Sequence, residues 1–295
     1  MWEYAELFDV AAWNSENREP SLLDDLYRNI PTAIRVGQMG YRTRTTVAGP
    51  RLEAEVFPIF GRAKEGALRK AKENRTREAQ EKANMRRACE RLVQLIDGNF
   101  GEKDVHLTLT YRGEAPSFER CRKDVRNFLQ RMKRARKARK LEPLKFIYAI
   151  GHDEHQRIHV HMITNGGISR DEVEAIWEKG IINAMRLQPD EDGLQGIANY
   201  LFQQNAQAKK RGERKNQKMW SGSRNLKKPK VRTSDSKCSN ARVRRIAADI
   251  QNEAKEEMEK LYPGYSFVKC RVSYSDVVDG VYIRCVMRRR RSERR

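Results

Sequence analysis

Residues 157–163 read Arg-Ile-His-Val-His-Met-Ile, and this alternation of apolar and polar side chains predicts a β-strand. Successive side chains of a strand point to opposite faces, at a rise of about 3.3 Å per residue. The apolar side chains therefore share one face, and His159 and His161 share the other. The two histidines lie about 6–7 Å apart along the strand, so that two ring nitrogens can converge on one metal ion.

This histidine pair is the first candidate metal site. Imidazole nitrogen together with carboxylate oxygen suits ions such as Mn²⁺, Mg²⁺ or Zn²⁺. His152, Asp153 and Glu154 lie in the turn just before the strand and are candidates for a third ligand. A purely structural role for the pair is the alternative, but the opposite face of the strand already provides the apolar residues that a core needs.

The composition indicates a polyanionic partner. Lys and Arg total 61 against 40 acidic residues, which gives a formal net charge of +21 and favours nucleic acid or an anionic membrane surface. No apolar run reaches the roughly 18 residues of a membrane span, and the N-terminus lacks the features of a secretory signal. We therefore expect a cytoplasmic protein without a membrane partner. The five cysteines form no CxxC pair, which disfavours a disulfide framework or a zinc ribbon.

The remaining sequence alternates between predicted strands and helices. Strands are expected at 40–47, 52–58, 105–111, 146–150, 157–163, 181–187, 265–273 and 280–287, and helices at 62–96, 117–140, 170–177, 193–207 and 240–261. The order of elements from residue 105 predicts an α+β fold, an antiparallel sheet with helices on one face, of the ferredoxin-like kind.

Two domains are expected. Residues 1–100 form an N-terminal segment with short strands and a long basic helix. Residues 101–295 form the main domain, which includes a basic loop at 209–230 and two closing strands near the C-terminus.

Tyr200 is the second candidate site residue. At about 100° per helical residue, it points roughly 130° away from the centre of the apolar stripe of its predicted helix. That stripe consists of Leu194, Ile197, Ala198, Leu201 and Phe202. A tyrosine that merely flanks the core, with its hydroxyl in water, is the alternative interpretation.

Taken in order, three motifs resemble those of the HUH endonucleases, the rolling-circle replication initiators of phages, plasmids and integrative elements. They are Leu-Thr-Leu-Thr-Tyr at 107–111, Ile-His-Val-His-Met at 158–162, and Tyr200 on a helix. Shorter pieces resemble one branch, the replication proteins of small mobile elements in Gram-positive bacteria. These pieces are Tyr41-Arg-Thr-Arg-Thr, Asn99-Phe, Arg157-Ile-His, Asn165-Gly-Gly, Trp177-Glu-Lys-Gly and the segment 221–229. The resemblance runs from about residue 40 to the C-terminus.

The resemblance implies an enzyme that nicks and rejoins single-stranded DNA at a replication origin through a 5′-phosphotyrosine intermediate. It assigns His159 and His161 to the metal, which is Mn²⁺ or Mg²⁺, and Tyr200 to the nucleophile. The third ligand is Glu154, Asp153, His152 or water, and of these we favour Glu154.

Two positions depart from the family pattern. Gly151 stands where members usually carry a glutamate, eight residues before the first histidine. Gln203 stands where members often carry a lysine, three residues after the tyrosine. That lysine would help to neutralise the scissile phosphate, so its absence puts full activity in doubt.

Basic residues around the predicted loop are the candidates for contact with the DNA backbone, although a solvated charge run is about equally consistent with the sequence. They are Lys209, Lys210, Arg211, Arg214, Lys215, Arg224, Lys227 and Lys228. The partner is single-stranded or hairpin origin DNA in the cytoplasm of a bacterial host. Because the sequence contains no GxxxxGK[ST] phosphate loop, strand separation requires a host helicase, and synthesis a host polymerase. The sequence does not predict an oligomeric state.

Other functions compete with this hypothesis. A single-tyrosine transposase or a conjugative relaxase uses the same chemistry, and a non-catalytic DNA-binding regulator retains the fold without it. A structural zinc protein is disfavoured, because only two histidines are well placed and no cysteines are paired.

Overall fold

The computed structural model describes residues 40–59, 77–114, 116–152, 157–210, 219–250, 252–275 and 280–290. The chain divides into two compact units. The first contains residues 1–8 and 88–228, and the second contains residues 9–87 and 229–295.

Strands and helices are numbered separately along the chain. The strands are β1 (Gly40–Ala48), β2 (Arg51–Ile59), β3 (Val105–Leu109), β4 (Phe146–His152), β5 (Ile158–Thr164), β6 (Ile182–Arg186), β7 (Ser221–Gly222), β8 (Lys230–Ser234), β9 (Tyr265–Ser275) and β10 (Gly280–Arg289). The helices are α1 (Arg77–Asn99), α2 (Phe118–Ala138), α3 (Arg170–Trp177), α4 (Gln195–Lys210), α5 (Asn240–Ala248) and α6 (Glu253–Leu261). Their antiparallel sheets confirm the predicted α+β class.

The first unit is built on a sheet with strand order β6-β3-β5-β4-β7. One face of this sheet packs against α2 and α3. Phe128 of α2 and Trp177 of α3 join Leu107, Val160 and Met162 of the strands in one buried core. The apolar alternation of β5 is therefore used as the sequence predicts.

The other face of the first sheet carries His159 and His161 and is also covered by a helix. Helix α4 packs against β4, and the hydroxyl of Tyr200 on α4 reaches the ring of His161. Helices thus lie on both faces, whereas the sequence placed them on one. The reason is that the apolar stripe of α4, which includes Ile197 and Leu201, is itself buried.

Serine caps fix the starts of two helices of the first unit. The Ser117 side chain accepts a hydrogen bond from the backbone N–H of Arg120 at the start of α2. At α3, Ser169 and Glu172 form the predicted capping box, which is thereby confirmed.

Close backbone contacts explain two of the glycine motifs that the sequence shares with replication proteins. A Cβ at Gly180 would lie 2.4 Å from the carbonyl oxygen of Thr110, and one at Gly166 would lie 2.2 Å from that of Lys103. The indole N–H of Trp177 donates to the same Thr110 oxygen at 2.7 Å. These motifs therefore hold the end of β3, the strand beside the two histidines.

The second unit contains a sheet with strand order β8-β1-β2-β10-β9. The hairpin β1–β2 is confirmed, with Ala48 opposite Arg51 and Gly49 in the turn at a φ of 58°. Strand β10 pairs with β2 and with β9, and α5 and α6 contribute to the core of this sheet through Val243, Ile246 and Met258. The division into residues 1–100 and 101–295 stays a prediction.

Three predicted elements differ from those in the structure. The helix at 240–261 is two helices, because Asp249 has an extended backbone and its carboxylate accepts a hydrogen bond from the N–H of Asn252 at 2.9 Å. The predicted loop at 209–230 contains the short strand β7. Of the long helix expected from residue 62, the part before Arg77 lies outside the described residues.

Within the described part of the chain, no helix combines the length and the apolar character that crossing a lipid bilayer requires.

Candidate functional site

A tyrosine and a histidine from separate elements meet on the α4 face of the first sheet. The hydroxyl oxygen of Tyr200 lies 3.1 Å from Nε2 of His161, and their ring centroids are 4.8 Å apart. His161 is 3% exposed, whereas Tyr200 is partly buried. The phenol that the sequence singles out is therefore in hydrogen-bond contact with the histidine that the sequence singles out.

His159 completes the pair. Its ring centroid lies 4.6 Å from that of His161, and its own side chain is partly exposed. The alternation of β5 places both rings on one face, as predicted. Nδ1 of His159 lies 3.3 Å from the carbonyl oxygen of Arg157.

Two residues of β3 support His161 from behind. Nδ1 of His161 lies 3.3 Å from Nε2 of His106 and 3.3 Å from the hydroxyl oxygen of Thr108. The rings of His106 and His161 are stacked, with centroids 5.4 Å apart. With the Tyr200 hydroxyl as the donor to Nε2, Nδ1 of His161 carries the single ring hydrogen and donates it to this pair of acceptors.

Burial keeps these groups neutral. It lowers the pKa of His161 well below 6.5, and the neighbouring His106 and His159 lower it further. Burial also lowers the pKa of His106 to about 4. The pKa of Tyr200 is raised above its ordinary value of 10.0 by the same loss of hydration. At neutral pH the site therefore contains an un-ionised phenol and un-ionised imidazoles.

Neutral imidazoles fit a divalent metal ion, because a ring nitrogen must be unprotonated to coordinate. His159 and His161 offer two such donors on one face. Nε2 of His161 has one lone pair, so metal coordination there and the hydrogen bond from Tyr200 exclude each other. Among the described residues, no group of three His, Cys, Asp or Glu side chains is arranged to hold a metal.

The third ligand is not found among the residues that the structure describes. Glu154, the favoured candidate, and Asp153 lie outside them. His152 ends β4, and strand alternation puts it on the face opposite His159. Gly151 lies directly across from His159 in the β4–β5 register, so the position that carries a glutamate in similar proteins offers no side-chain donor.

Thr110 and Gln203 have different surroundings. The hydroxyl of Thr110 donates to the carbonyl oxygen of Ile181 at 2.8 Å, which ties β3 to the start of β6. Gln203 lies three residues beyond Tyr200 on α4, with a partly buried side chain.

The predicted DNA-contacting residues fall into three groups. Arg224, Lys227 and Lys228 are exposed in the segment after β7. Lys209 and Lys210 are the last two residues of α4. The remaining three, Arg211, Arg214 and Lys215, lie outside the described residues.

Asn99 fixes the backbone of the segment that carries Lys227. Its side-chain amide donates to the carbonyl oxygen of Lys227 at 2.9 Å and accepts from the N–H of Lys227 at 2.7 Å. The segment is further held where Ser223 donates its N–H to the carbonyl oxygen of Phe146. Exposed cations are therefore presented on an ordered backbone beside β4.

Residues 104–209 match the sequence model of a family described as replication-associated protein ORF2. The matched segment contains both histidines of the pair and Tyr200, and the match supports a replication-associated protein. No curated protein and no solved structure gives a significant match.

His106 is the site residue that the sequence did not single out. It is 2% exposed and is the histidine that lies apart from the other four along the chain. Its alternation with Thr108 on β3 was a usable signal, since both side chains must share a face. What the sequence lacked was the β3–β5 register, which pairs Thr108 with His161.

Proposed function

We propose that this chain is a replication initiator that nicks and rejoins single-stranded DNA at an origin, with Tyr200 as the nucleophile. The single observation that carries the proposal is the 3.1 Å distance between the Tyr200 oxygen and Nε2 of His161. It brings a nucleophile of the right kind to a pair of neutral imidazoles. The match of residues 104–209 to a replication-associated protein supports the same conclusion.

In the proposed reaction, the phenol oxygen of Tyr200 attacks the phosphorus of a phosphodiester. A bond forms between that oxygen and phosphorus, and the bond from phosphorus to the 3′ oxygen breaks. The products are a 5′-phosphotyrosine and a free 3′-hydroxyl, which a polymerase extends. Because the covalent link conserves the phosphodiester, the reverse attack by a 3′-hydroxyl rejoins the strand.

The phenol must lose its proton for this attack, and its surroundings oppose that loss. Burial raises the pKa of Tyr200, and His161, whose pKa is lowered, is a weak base. His161 therefore holds and orients the hydroxyl and does not ionise it. A divalent cation, when bound, would polarise the scissile phosphate and favour the phenolate.

His159 and His161 would hold this cation, Mn²⁺ or Mg²⁺, with Glu154 as the proposed third ligand. His106 and Thr108 would orient His161 through its Nδ1, as supporting groups commonly do at metal-bound histidines. Gly151 provides no carboxylate at the cross-strand position, so the site would depend on residues 153–156, on water, or on the DNA phosphate for its oxygen ligands.

The cationic residues near the site would bind the DNA backbone. These are Lys209, Lys210, Arg211, Arg214, Lys215, Arg224, Lys227 and Lys228. Such contacts make binding strongly dependent on salt. A host helicase would open the origin and a host polymerase would extend the 3′-hydroxyl, in the cytoplasm of the bacterial host.

The test incubates the protein with an origin-like single-stranded oligonucleotide and Mn²⁺, followed by a denaturing gel. We expect a covalent protein–DNA adduct that EDTA prevents and that Tyr200→Phe abolishes. Tyr148→Phe is the matched control, because Tyr148 packs against the core on the opposite face of the sheet. An adduct that survives Tyr200→Phe would show that the nucleophile is another residue.

A second candidate, a non-catalytic DNA-binding regulator, is favoured by one specific observation, the glycine opposite His159. A regulator shifts the same oligonucleotide on a native gel but forms no adduct under any metal condition. A transposase or a relaxase forms the adduct with a transposon end or a transfer origin, and not with a replication origin.

A further inference from the structure

The outer surface of α2 carries a row of cations that the proposed reaction does not use. Arg122, Arg126, Lys133 and Lys137 are all exposed, and at about 100° per residue they fall within an arc of roughly 60°. We call these four residues the α2 basic stripe. It extends roughly 22 Å along the helix axis, at about 1.5 Å per residue.

The α2 basic stripe lies on the far side of the first sheet from Tyr200. The buried face of α2, which includes Val125 and Phe128, packs on the strand face that presents Val160 and Met162. His161 projects from the opposite face, towards α4. A helix is roughly 10 Å across, so a short strand bound beside Tyr200 cannot contact the stripe at the same time.

The stripe is not neutralised within the described part of the protein. Other basic residues of this helix have carboxylate partners, since Arg120 pairs with Asp124 and Arg131 pairs with Glu178. No ion pair to a stripe residue occurs among the described residues. Glu119, in the first helical turn, is the exposed carboxylate that lies nearest to the stripe along the helix.

The spacing of the stripe works against helix stability. Arg122 and Arg126 are four residues apart, as are Lys133 and Lys137. Like charges at this spacing repel each other and destabilise a helix. A bound polyanion would remove that repulsion, so the arrangement favours an anionic partner over a surface that is merely solvated.

The chemistry of the surface favours duplex DNA over a single strand. Proteins that bind single strands stack bases on exposed aromatic side chains, and none of the exposed residues of α2 is aromatic. Exposed Asn127 and Gln130 add amide donors beside the cations. A straight cationic helix flanked by amides suits the regularly spaced phosphates of a duplex backbone.

We propose that the α2 basic stripe binds the sugar-phosphate backbone of duplex DNA, at a surface separate from the one beside Tyr200. The inference rests on the proposed function in taking DNA as the partner. It adds that the protein holds a double-stranded region on one side of the sheet while a single strand occupies the other side.

The test compares two variants of the full chain, each of which replaces two Arg and two Lys by Gln. The stripe variant changes Arg122, Arg126, Lys133 and Lys137. The matched control changes Lys103, Arg170, Arg186 and Lys255, which are exposed elsewhere. Glutamine is a good helix former, so circular dichroism should show both variants folded.

Binding is measured in EDTA, so that no cleavage occurs, against a duplex of about two helical turns and a single strand of about 12 nucleotides. We expect the stripe variant to lower the salt dependence of duplex binding by about 3.6 in the slope of log K against log salt, at about 0.9 per lost phosphate contact. The control should change this slope little. Single-strand binding should be the same in the stripe variant and the control.

Three results would overturn the inference. One is an equal loss of duplex binding in both variants, which would indicate a general effect of charge. Another is an equal loss of duplex and single-strand binding in the stripe variant. The third is a stripe variant that keeps duplex binding but loses binding to phosphatidylserine vesicles, which would identify a membrane surface as the partner. The covalent adduct is scored separately, so failure of the proposed reaction leaves this outcome readable.

Discussion

Gly151 on β4 lies directly opposite His159 on β5. Side chains of directly opposed residues in antiparallel strands project to the same face, with Cβ atoms about 4.5–5.5 Å apart. A carboxylate at position 151 would therefore stand beside the histidine pair, on the side of the sheet that faces α4. The glycine leaves that place without a ligand.

Gly151→Glu should accordingly strengthen metal binding. The added carboxylate supplies an oxygen ligand and a negative charge beside His159. We expect Mn²⁺ to bind on the order of tenfold more tightly, an effect of about 1.4 kcal/mol, as measured by isothermal titration calorimetry. Gly151→Gln has nearly the same shape without the charge and serves as the control. If both variants bind Mn²⁺ with the same affinity, the histidine pair is not part of a metal site.

The two histidines of the pair should differ in their effect on stability. His161 is buried and has Tyr200, His106 and Thr108 as polar neighbours, whereas His159 is partly exposed. His161→Gln should lower the free energy of unfolding by about 1–3 kcal/mol, and His159→Gln by less than about 0.5 kcal/mol.

Urea denaturation in EDTA measures both variants without a contribution from metal. Both should also weaken Mn²⁺ binding, since each removes one nitrogen donor. Equal destabilisation by the two substitutions would contradict the difference in burial and contacts described for the pair.

Stability should fall on mild acidification because of His106. Its pKa is about 4 in the folded protein against 6.5 ordinarily, so between these values the unfolded chain binds the proton more tightly. The free energy of unfolding therefore decreases as the pH falls from about 6.5 towards 4, and at pH 5 the His106 contribution is about 2 kcal/mol smaller than at pH 7.

The measurement is urea denaturation at pH 7 and pH 5 in EDTA, for the wild type and for His106→Leu and His106→Gln. In both variants the loss of stability between the two pH values should be smaller than in the wild type by about 2 kcal/mol. Carboxylates titrate in all three proteins and cancel in the comparison. An unchanged pH dependence in both variants would mean that His106 is not held neutral by burial.

Local patterns predicted the parts of the site that depend on a single element. The alternation of β5 was enough to place His159 and His161 on one face, and the helical stripe around Leu201 was enough to turn Tyr200 away from the core of its own helix. Neither pattern contains the distance between the two elements. That distance is set by packing of α4 on β4, which joins residues far apart in the sequence.

The unpredicted features are non-local in the same way. His106 reaches His161 because β3 and β5 are neighbours in the sheet, and no periodicity within β3 states which strand lies beside it. The capping box at Ser169 and the turn at Gly49 were predictable, since each is completed within a few residues. The break at Asp249 was missed because the residues on both sides continue a helical pattern, while the Asp249 carboxylate satisfies a backbone N–H locally.

Mapping the covalent adduct tests the central claim most directly. Trypsin should release residues 187–209 as one peptide, in which Tyr200 is the only tyrosine. After reaction with a single-stranded origin oligonucleotide and Mn²⁺, followed by nuclease digestion, mass spectrometry should find this peptide carrying a nucleotide on Tyr200. A nucleotide on any other peptide, or no modified peptide when cleavage of the oligonucleotide is evident, would contradict the assignment of Tyr200 as the nucleophile.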